Sequence, residues 1–323
     1  MKAAVTEEAG PPSVMKIKDI PVPKAEKGKV LIRVKAFAVN RAEVVTRQGF
    51  SPTVEFPRVI GIECTGLVEE CPSGKFKRDE KVAAMVGGMG RQFDGSYAEY
   101  TLVPESNVFS FHSEMGWEKV GAIPEMYLTM SGALKLALQI KEGEKLLLRG
   151  GSSSIGLNAC QLAKYYGMSV VSTTRNEGKM KFMLEKGADH VIIDDGNIHT
   201  KLREIYPKGV DKVMEFIGTK TLVDSLKCIG AYGVLCMVGG LGMEWSLKEF
   251  SPMGAIPNLG RLTMYGSDPS RMSHKDFQDY IDNVENKKIE LITDRVFKLD
   301  EIVEAHKYME TNEARGRIVV LVE

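Results

Sequence analysis

The alternation of strand and helix patterns between about residue 124 and residue 265 is the feature that most constrains the fold. The strand patterns are apolar throughout, while the helix patterns keep apolar residues on one face, as at Leu222, Leu226 and Ile229. Strands that are apolar on both sides and separated by helices form a parallel sheet covered by helices on both faces. The stretch therefore predicts an α/β fold with a doubly wound parallel sheet. Its predicted strands are KLLLRG, SVVSTT, HVIIDD, VDKVMEF, GVLCMVGG and RLTMYGS.

The two ends of the chain follow other patterns. Residues 1 to about 120 contain short strands rich in Val and Ile, such as RVIGIECTGLVEEC, that are broken by Gly and Pro. Residues 268–323 combine two amphipathic helix patterns with a final strand, RIVVLV, and the first helix pattern places Phe277, Tyr280, Ile281 and Val284 on its apolar face. Because this tail is too short for a core of its own, we expect it to pack on the β-rich N-terminal region.

The charge and composition exclude several classes of protein. The 43 Lys and Arg residues balance the 43 Asp and Glu residues, so no net charge attracts nucleic acid or an anionic membrane. No apolar run approaches the ~18 residues of a membrane span, and the N-terminus lacks the apolar core of a signal peptide. The five cysteines form no C-x-x-C and no cluster, which argues against disulfides and a thiolate zinc site. We expect a cytoplasmic protein whose partner is a small molecule.

The turn after the first strand of the α/β stretch is a candidate phosphate-binding loop. It reads RGGSSSIG and opens a helix, and a helix N-terminus with small residues before it favours an anion. The middle glycine of the usual G-x-G-x-x-G is missing, but serine is small and can cap the helix or donate to a phosphate oxygen. The alternative for the motif by itself is a tight turn without a ligand. The residues assigned to the loop are Gly150, Gly151, Ser152, Ser153, Ser154, Ile155 and Gly156.

The end of the second strand indicates which dinucleotide binds. An NAD-binding strand would end there in Asp or Glu, which holds the ribose 2′-hydroxyl. This strand ends in Thr174 and Arg175, with Lys179 close behind. Arginine donors and a lysine charge suit a 2′-phosphate, although a solvated helix start would also explain both cations. The pattern favours NADPH over NADH.

The chain resembles the medium-chain dehydrogenase/reductase superfamily, and within it the zinc-independent quinone oxidoreductase branch. The resemblance covers essentially the whole length. It implies a GroES-like β-rich catalytic domain, residues 1–123 and 268–323, around a Rossmann NADPH-binding domain, residues 124–267. It also implies a homodimer. The matching segments are MKAAV, VLIRVKAFAVNRAEVVTRQG, PRVIGIECTGLVEE, GSYAEYTLVPE, GAIPEMYLTMSGAL, GGSSSIGLNACQLAKYYG, GVDKVMEFIG and RGRIVVLV.

The sequence departs from the zinc-dependent members of this superfamily. Those enzymes carry a catalytic Cys near position 40 and a G-H-E motif whose His binds metal, whereas this chain has Asn40–Arg41 and Ile62. The four clustered cysteines of the structural zinc lobe are also missing. Because zinc requires three or four N, S or O donors, we expect no metal site and no Lewis-acid chemistry.

The resemblance implies direct hydride transfer from NADPH to a small-molecule electron acceptor, such as a quinone or a similar electrophilic carbonyl compound. It places Asn40 near the nicotinamide ribose and the substrate, and Thr129 near the nicotinamide. Tyr127 is a second catalytic candidate, with packing under the cleft and a hydroxyl bonded to the backbone as its alternative. The strand-end residues that match the cofactor cleft are Ile217, Gly218, Val238 and Gly239.

Some features leave other functions open. Enoyl reductases of this branch carry a proton-donating tyrosine shortly after the matching Asn, where this chain has Val44 and Val45. An enone or enoyl-thioester reductase is the second hypothesis, and a low-turnover NADPH-binding sensor or structural protein is the third. The glycine-rich residues 87–97 are either a substrate-cleft loop or a surface loop. We expect Arg315 and Arg317 to be solvated.

Overall fold

Residues 1–322, which the computed structural model describes, form three β-sheets. The strands are β1 (Lys2–Thr6), β2 (Met15–Asp19), β3 (Lys29–Ala38), β4 (Arg58–Val59), β5 (Glu63–Glu70), β6 (Lys81–Met85), β7 (Tyr100–Pro104), β8 (Val108–Ser110), β9 (Lys145–Arg149), β10 (Ser169–Thr174), β11 (His190–Ile193), β12 (Val210–Glu215), β13 (Ile229–Met237), β14 (Arg261–Met264), β15 (Thr293–Lys298) and β16 (Arg317–Leu321). The α-helices are α1 (Arg41–Arg47), α2 (Trp117–Val120), α3 (Pro124–Gly132), α4 (Ser154–Tyr165), α5 (Met180–Glu185), α6 (His199–Ile205), α7 (Leu222–Cys228), α8 (Pro252–Ala255), α9 (His274–Glu285) and α10 (Ile302–Thr311).

The first of two compact units is built mainly from antiparallel strands. It contains Met1–Leu128, Ser267–Lys287 and the chain from Thr293 onward. Strands β2, β1 and β4 form one sheet; the larger sheet has the order β15-β16-β3-β5-β6-β8, with β7 also paired to β3. Antiparallel pairing of β16 with β3 joins the C-terminal strand to the N-terminal sheet, which confirms that the tail packs there. The predicted apolar face of α9 is buried: Phe277, Tyr280, Ile281 and Val284.

One predicted strand of this unit is divided in two. The sequence RVIGIECTGLVEEC predicts a single strand, but β4 ends at Val59 and β5 begins at Glu63. Between them Gly61 has a φ of 111°, in the region that favours glycine. A Cβ on Gly61 would lie 2.5 Å from the Ser96 hydroxyl oxygen, so the chain bends where only glycine fits.

The second unit is the predicted doubly wound sheet. Its six strands are all parallel, in the order β11-β10-β9-β12-β13-β14. In order of appearance along the chain this is 3-2-1-4-5-6, the order of a Rossmann fold. Leu147, Val171, Val213 and Leu235, one from each of the four central strands, lie in its buried core. The fold class is therefore confirmed as α/β with a GroES-like unit and a Rossmann unit.

The observed units differ slightly from the predicted domain boundaries. The second unit begins at Thr129 rather than at residue 124, and it also contains Lys288–Ile292 from the C-terminal tail. Two hydrogen bonds hold that short segment to α4. The Asn158 side chain donates to the Ile292 carbonyl at 3.1 Å and accepts from the Ile292 N–H at 2.9 Å. This pairing spans 134 residues, so no local pattern could have predicted it.

Within residues 1–322, no helix combines the length and the apolar character that crossing a membrane demands.

Candidate nucleotide-binding site and its polar supports

The strand order of the second unit reverses between β9 and β12. In an open parallel sheet, ligands bind outside the carboxyl ends of the strands at such a reversal. The RGGSSSIG turn follows β9, so the fold places the predicted phosphate loop at this point.

The glycines of the phosphate loop stand where side chains would clash. Gly150 has a φ of 83°, which glycine adopts without strain. A Cβ on Gly151 would lie 1.8 Å from the Ser172 hydroxyl oxygen, and one on Gly156 would lie 2.6 Å from the Cα of Gly151. These two short distances show that β10, which contains Ser172, and helix α4, which contains Gly156, lie directly against the loop. The loop is therefore too tight for a side chain at Gly151 or Gly156, although its middle position is not glycine.

The three serines of the loop differ in role. Ser153 caps α4: its hydroxyl donates to the Gly150 carbonyl at 2.8 Å and accepts from the Gly156 N–H at 3.2 Å. The Ser152 N–H donates to the Thr173 carbonyl at 3.2 Å. Ser154 opens α4, and the first N–H groups of an α-helix have no partner within the helix. Ser153 therefore shapes the turn, while the first turn of α4 can present N–H groups to an anion.

The end of β10 presents one of its two predicted cations to solvent. Arg175 is exposed, directly after Thr174, whose hydroxyl accepts from the Asn176 N–H at 3.1 Å. Lys179 is 8% exposed and ends a short 3₁₀ turn. Arg175 is therefore better placed than Lys179 to meet a phosphate.

The segments that follow β12 and β13 lie side by side. A Cβ on Gly218 would lie 2.7 Å from the Gly239 carbonyl oxygen, and a Cβ on Gly239 would lie 2.8 Å from the Phe216 carbonyl oxygen. The Val238 and Gly239 N–H groups both donate to the Glu215 carbonyl, at 2.9 and 3.2 Å. The four strand-end residues predicted for the cofactor cleft thus converge within the second unit.

Asn40 lies in the first unit, in a buried cluster of charges. Its amide nitrogen donates to Glu63 Oε1 at 2.9 Å and to Glu43 Oε1 at 3.2 Å, while its oxygen accepts from Arg317 at 2.7 Å. Glu63 also forms an ion pair with Arg317 and accepts from the Glu125 N–H at 2.8 Å. The amide of Asn40 is thus fixed from three directions.

Burial controls the protonation of the two carboxyls in this cluster. It raises the pKa of Glu43 to about 8, and the Glu63 carboxylate adds to that rise, while N–H donors oppose it. Burial also raises the pKa of Glu63, but the Arg317 guanidinium acts in the opposite direction. The ion pair with Arg317 therefore favours the ionised form of Glu63.

The expectation that Arg317 is solvated is wrong, whereas Arg315 is exposed as expected. Arg317 is 2% exposed because it begins β16, whose pairing with β3 carries its side chain into the core. Its guanidinium also donates to the Ala122 carbonyl at 3.2 Å.

Tyr127 adopts the packing alternative rather than a catalytic arrangement. It is buried, its ring stacks on Tyr280 with centroids 4.2 Å apart, and its hydroxyl donates to the Asp276 carbonyl at 2.9 Å. A hydroxyl engaged in this way serves packing, so we do not retain a catalytic role for Tyr127. Thr129, two residues later, is buried in the second unit.

The glycine-rich segment 87–97 is anchored rather than loose. Met89 and Tyr97 are buried, and Phe93 packs against the core of the first unit. Arg91 remains exposed. The Asp94 carboxylate accepts from the Val59 N–H at 3.1 Å, which ties the segment to β4.

Residues 1–322 contain no group of three or more His, Cys, Asp or Glu side chains placed to hold a metal ion. Cys64, two residues after Ile62, is buried, and burial raises the pKa of its thiol. The donor set of a zinc-dependent alcohol dehydrogenase therefore does not fit these residues.

Comparison with known proteins assigns the family. A family model described as the alcohol dehydrogenase GroES-like domain matches residues 26–113, and one described as zinc-binding dehydrogenase matches residues 186–320. The quinone oxidoreductase of Lama guanicoe is 27% identical, over 100% of this chain and 98% of that protein. The chain belongs to the medium-chain dehydrogenase/reductase superfamily. Within this superfamily its relatives place it in the quinone oxidoreductase branch.

Two further similarities cover nearly the whole chain. The acryloyl-coenzyme A reductase of Sulfurisphaera tokodaii is 26% identical over 99% of both chains. The structure of Escherichia coli quinone oxidoreductase complexed with NADPH superposes with a TM-score of 0.88, covering 99% of this chain and 100% of that one, at 20% identity. The second likeness, at 20% identity, shows the fold, and the family makes the chain an oxidoreductase of the medium-chain type.

Sequence reasoning did not predict the buried charge networks that lie beside the predicted site residues. Arg149 and Glu215 are buried at the ends of β9 and β12, and Glu43, Glu63 and Arg317 form the cluster around Asn40. For the two strand-end residues a signal was present, because a charge at the end of a strand that is apolar on both faces must find a buried partner. The partners themselves come from distant parts of the sequence.

Proposed function

We propose that the chain is an NADPH-dependent, metal-independent reductase of quinones or similar electrophilic carbonyl compounds. The observation that carries the cofactor choice is the end of β10, where exposed Arg175 stands in the place of the carboxylate that an NAD-binding strand would use. A guanidinium there suits a 2′-phosphate. The quinone oxidoreductase relatives support the substrate class.

The cofactor, when bound, supplies the hydride that reduces the acceptor. The loop Gly150–Gly156 would hold the pyrophosphate with the first turn of α4, and Arg175 would hold the 2′-phosphate. The adjacent segments at Ile217–Gly218 and Val238–Gly239 would support the nicotinamide half. We also predict that Asn40 and Thr129 contact the nicotinamide half of the cofactor.

The missing tyrosine favours a quinone over an enoyl substrate. Val44 and Val45 offer no proton to a developing carbanion. A reduced quinone needs no such donor, because its oxygens can take protons from water.

The test is NADPH oxidation with a panel of acceptors. We expect turnover with small quinones and little with enones or enoyl thioesters. Turnover confined to the enones or enoyl thioesters would replace this proposal with the second hypothesis, which the similarity to acryloyl-coenzyme A reductase favours. Tight NADPH binding without turnover on any acceptor would favour the sensor or structural role.

We also propose that the protein is a homodimer formed through β14. This strand lies at an edge of its sheet, and an exposed edge can pair with a second copy around a twofold axis. Large apolar side chains near it are exposed: Tyr232, Leu259 and Met264. Sedimentation should give the mass of a dimer, and Met264→Asp should shift it toward the monomer; a wild-type monomer at micromolar concentration would refute the proposal.

A further inference from the structure

Arg149 is a buried charge at the end of β9, directly before the phosphate loop. Its side chain is 0% exposed, yet every guanidinium nitrogen has a partner. Nε and one terminal nitrogen donate to both oxygens of Asp194, at 2.5 and 2.8 Å, and the other donates to Asp224 at 2.6 Å. That second nitrogen also donates to the Ser225 hydroxyl at 3.2 Å. Two carboxylates thus hold this guanidinium, which fixes its position.

One arm of this network reaches the phosphate loop. The Thr173 hydroxyl donates to Asp194 at 3.4 Å and accepts from the Gly150 N–H at 2.9 Å. Thr173 is fully buried within β10. The Thr173 hydroxyl therefore holds Gly150 through its N–H. The position of that hydroxyl depends on Asp194, whose carboxylate Arg149 orients.

A second arm reaches the segment after β12. The Ser225 hydroxyl donates to Glu215, and the other oxygen of Glu215 accepts from the Ile217 N–H at 2.8 Å and the Gly218 N–H at 3.1 Å. Both arms end on backbone N–H groups of segments assigned to the dinucleotide. They start from the same guanidinium, on the strand that lies between β10 and β12.

We infer that Arg149 is a positioning residue for the dinucleotide, which holds the phosphate loop through Asp194 and Thr173 and the strand end at Ile217–Gly218 through Ser225 and Glu215. This inference rests on the proposed function, because it concerns the same cofactor. Neither arm requires Arg149 to touch the ligand. A role limited to stability would lower resistance to heat without changing which ligands bind.

Two variants cut one arm each and leave Arg149 paired with both carboxylates. Thr173→Val is close in shape and removes the hydroxyl of the first arm, with Thr173→Ser as its matched control. Ser225→Ala removes the hydroxyl of the second arm. The probes are NADPH and ADP, both titrated by calorimetry; ADP carries the adenosine and the diphosphate but neither the nicotinamide riboside nor the 2′-phosphate.

We expect Thr173→Val to weaken ADP and NADPH by about fivefold each, the size of one neutral hydrogen bond. Thr173→Ser should bind both like the wild type. Ser225→Ala should weaken NADPH by a similar factor and leave ADP unchanged, because its arm ends beside the nicotinamide half. Unchanged affinities in both variants, or equal losses of both ligands in both variants, would overturn the inference. If thermal unfolding shows that Thr173→Val does not fold, the affinities of Ser225→Ala for NADPH and for ADP decide the question. A loss for NADPH alone supports the inference, and an equal loss or no loss for the two ligands overturns it.

The wild-type titration separates this inference from the proposed function. A wild type that binds NADH in preference to NADPH would refute the cofactor choice, and the same variants would then be titrated with NADH. A wild type that binds neither dinucleotide would overturn both proposals.

Discussion

Replacing Arg317 with methionine should destabilise the protein in a pH-dependent way. Methionine keeps much of the length of the side chain but removes its charge and its donors. The lost contacts are those to the Ala122 carbonyl, to the Asn40 amide oxygen and to the Glu63 carboxylate. Glu63 is 0% exposed, so solvent cannot replace the missing cation.

The size of the expected loss of stability follows from the burial of Glu63. Removing one partner of a buried ion pair costs about 3–5 kcal/mol, because the other charge is left without compensation. The double variant Arg317→Met/Glu63→Gln leaves no unpaired charge at that position and should recover about half of the loss or more. The comparison isolates the charge on Glu63 from the packing that methionine disturbs.

The cost should grow as the pH rises. Burial raises the pKa of Glu63, and Arg317 opposes that rise, so removing Arg317 lets the pKa climb further in the folded state. Glu43, close by, already has its pKa raised to about 8 by burial and by Glu63. A carboxyl with a higher pKa when folded than when unfolded binds more protons in the folded state, so its protonation stabilises the fold below that pKa. The destabilisation of the variant should therefore be small at acidic pH, where Glu63 is protonated in both proteins, and larger at alkaline pH, where the unpaired carboxylate is charged.

Urea unfolding of the wild type, the single variant and the double variant at an acidic and an alkaline pH measures these differences. The midpoint should fall most for the single variant at the higher pH, with similar slopes for all three proteins. A loss below about 1 kcal/mol at the higher pH would show that the ion pair does not carry the expected energy. A pH-independent loss, or no recovery in the double variant, would show that packing rather than charge is responsible.

Three further variants test individual parts of the account. Gly151→Ala places a methyl 1.8 Å from a neighbouring hydroxyl oxygen and should weaken dinucleotide binding by about tenfold or more. Its control is Gly254→Ala, whose new methyl would lie 3.5 Å from the nearest atom and which should bind the dinucleotide like the wild type. Tyr127→Phe should cost about 1 kcal/mol in thermal stability with little change in kcat, and a large fall in kcat would restore its catalytic role. Arg175→Ala with Lys179→Ala should weaken NADPH by about tenfold to a hundredfold and NADH little, so equal losses would refute the 2′-phosphate assignment.

The sequence predicted those parts of the fold that depend on local patterns. Strand–helix alternation predicted the six-stranded parallel sheet, and the apolar face of α9 matched the residues that are buried. The glycines of the loop stand where their spacing predicted a tight turn, since Gly150 requires a positive φ and Gly151 leaves no room for a side chain. These features follow from backbone sterics and periodicity, which act over a few residues.

The sequence did not predict contacts between residues far apart in the chain. Arg317 was expected in solvent, yet it is buried against Glu63, a partner that lies 254 residues away in the chain. Arg149 likewise pairs with Asp224, 75 residues later. Tertiary packing of strands and helices brings such charges together, and the local pattern of a single sequence does not specify that packing.

The rate of NADPH oxidation at 340 nm with a small quinone, compared with the rate for NADH at the same concentration, tests the central claim most directly. The account predicts turnover without added metal and a kcat/KM at least about tenfold higher with NADPH, the value expected from one charged contact to the 2′-phosphate. Equal or faster turnover with NADH would contradict the assignment made from the end of β10. Turnover that appears only after zinc is added would contradict the metal-independent chemistry.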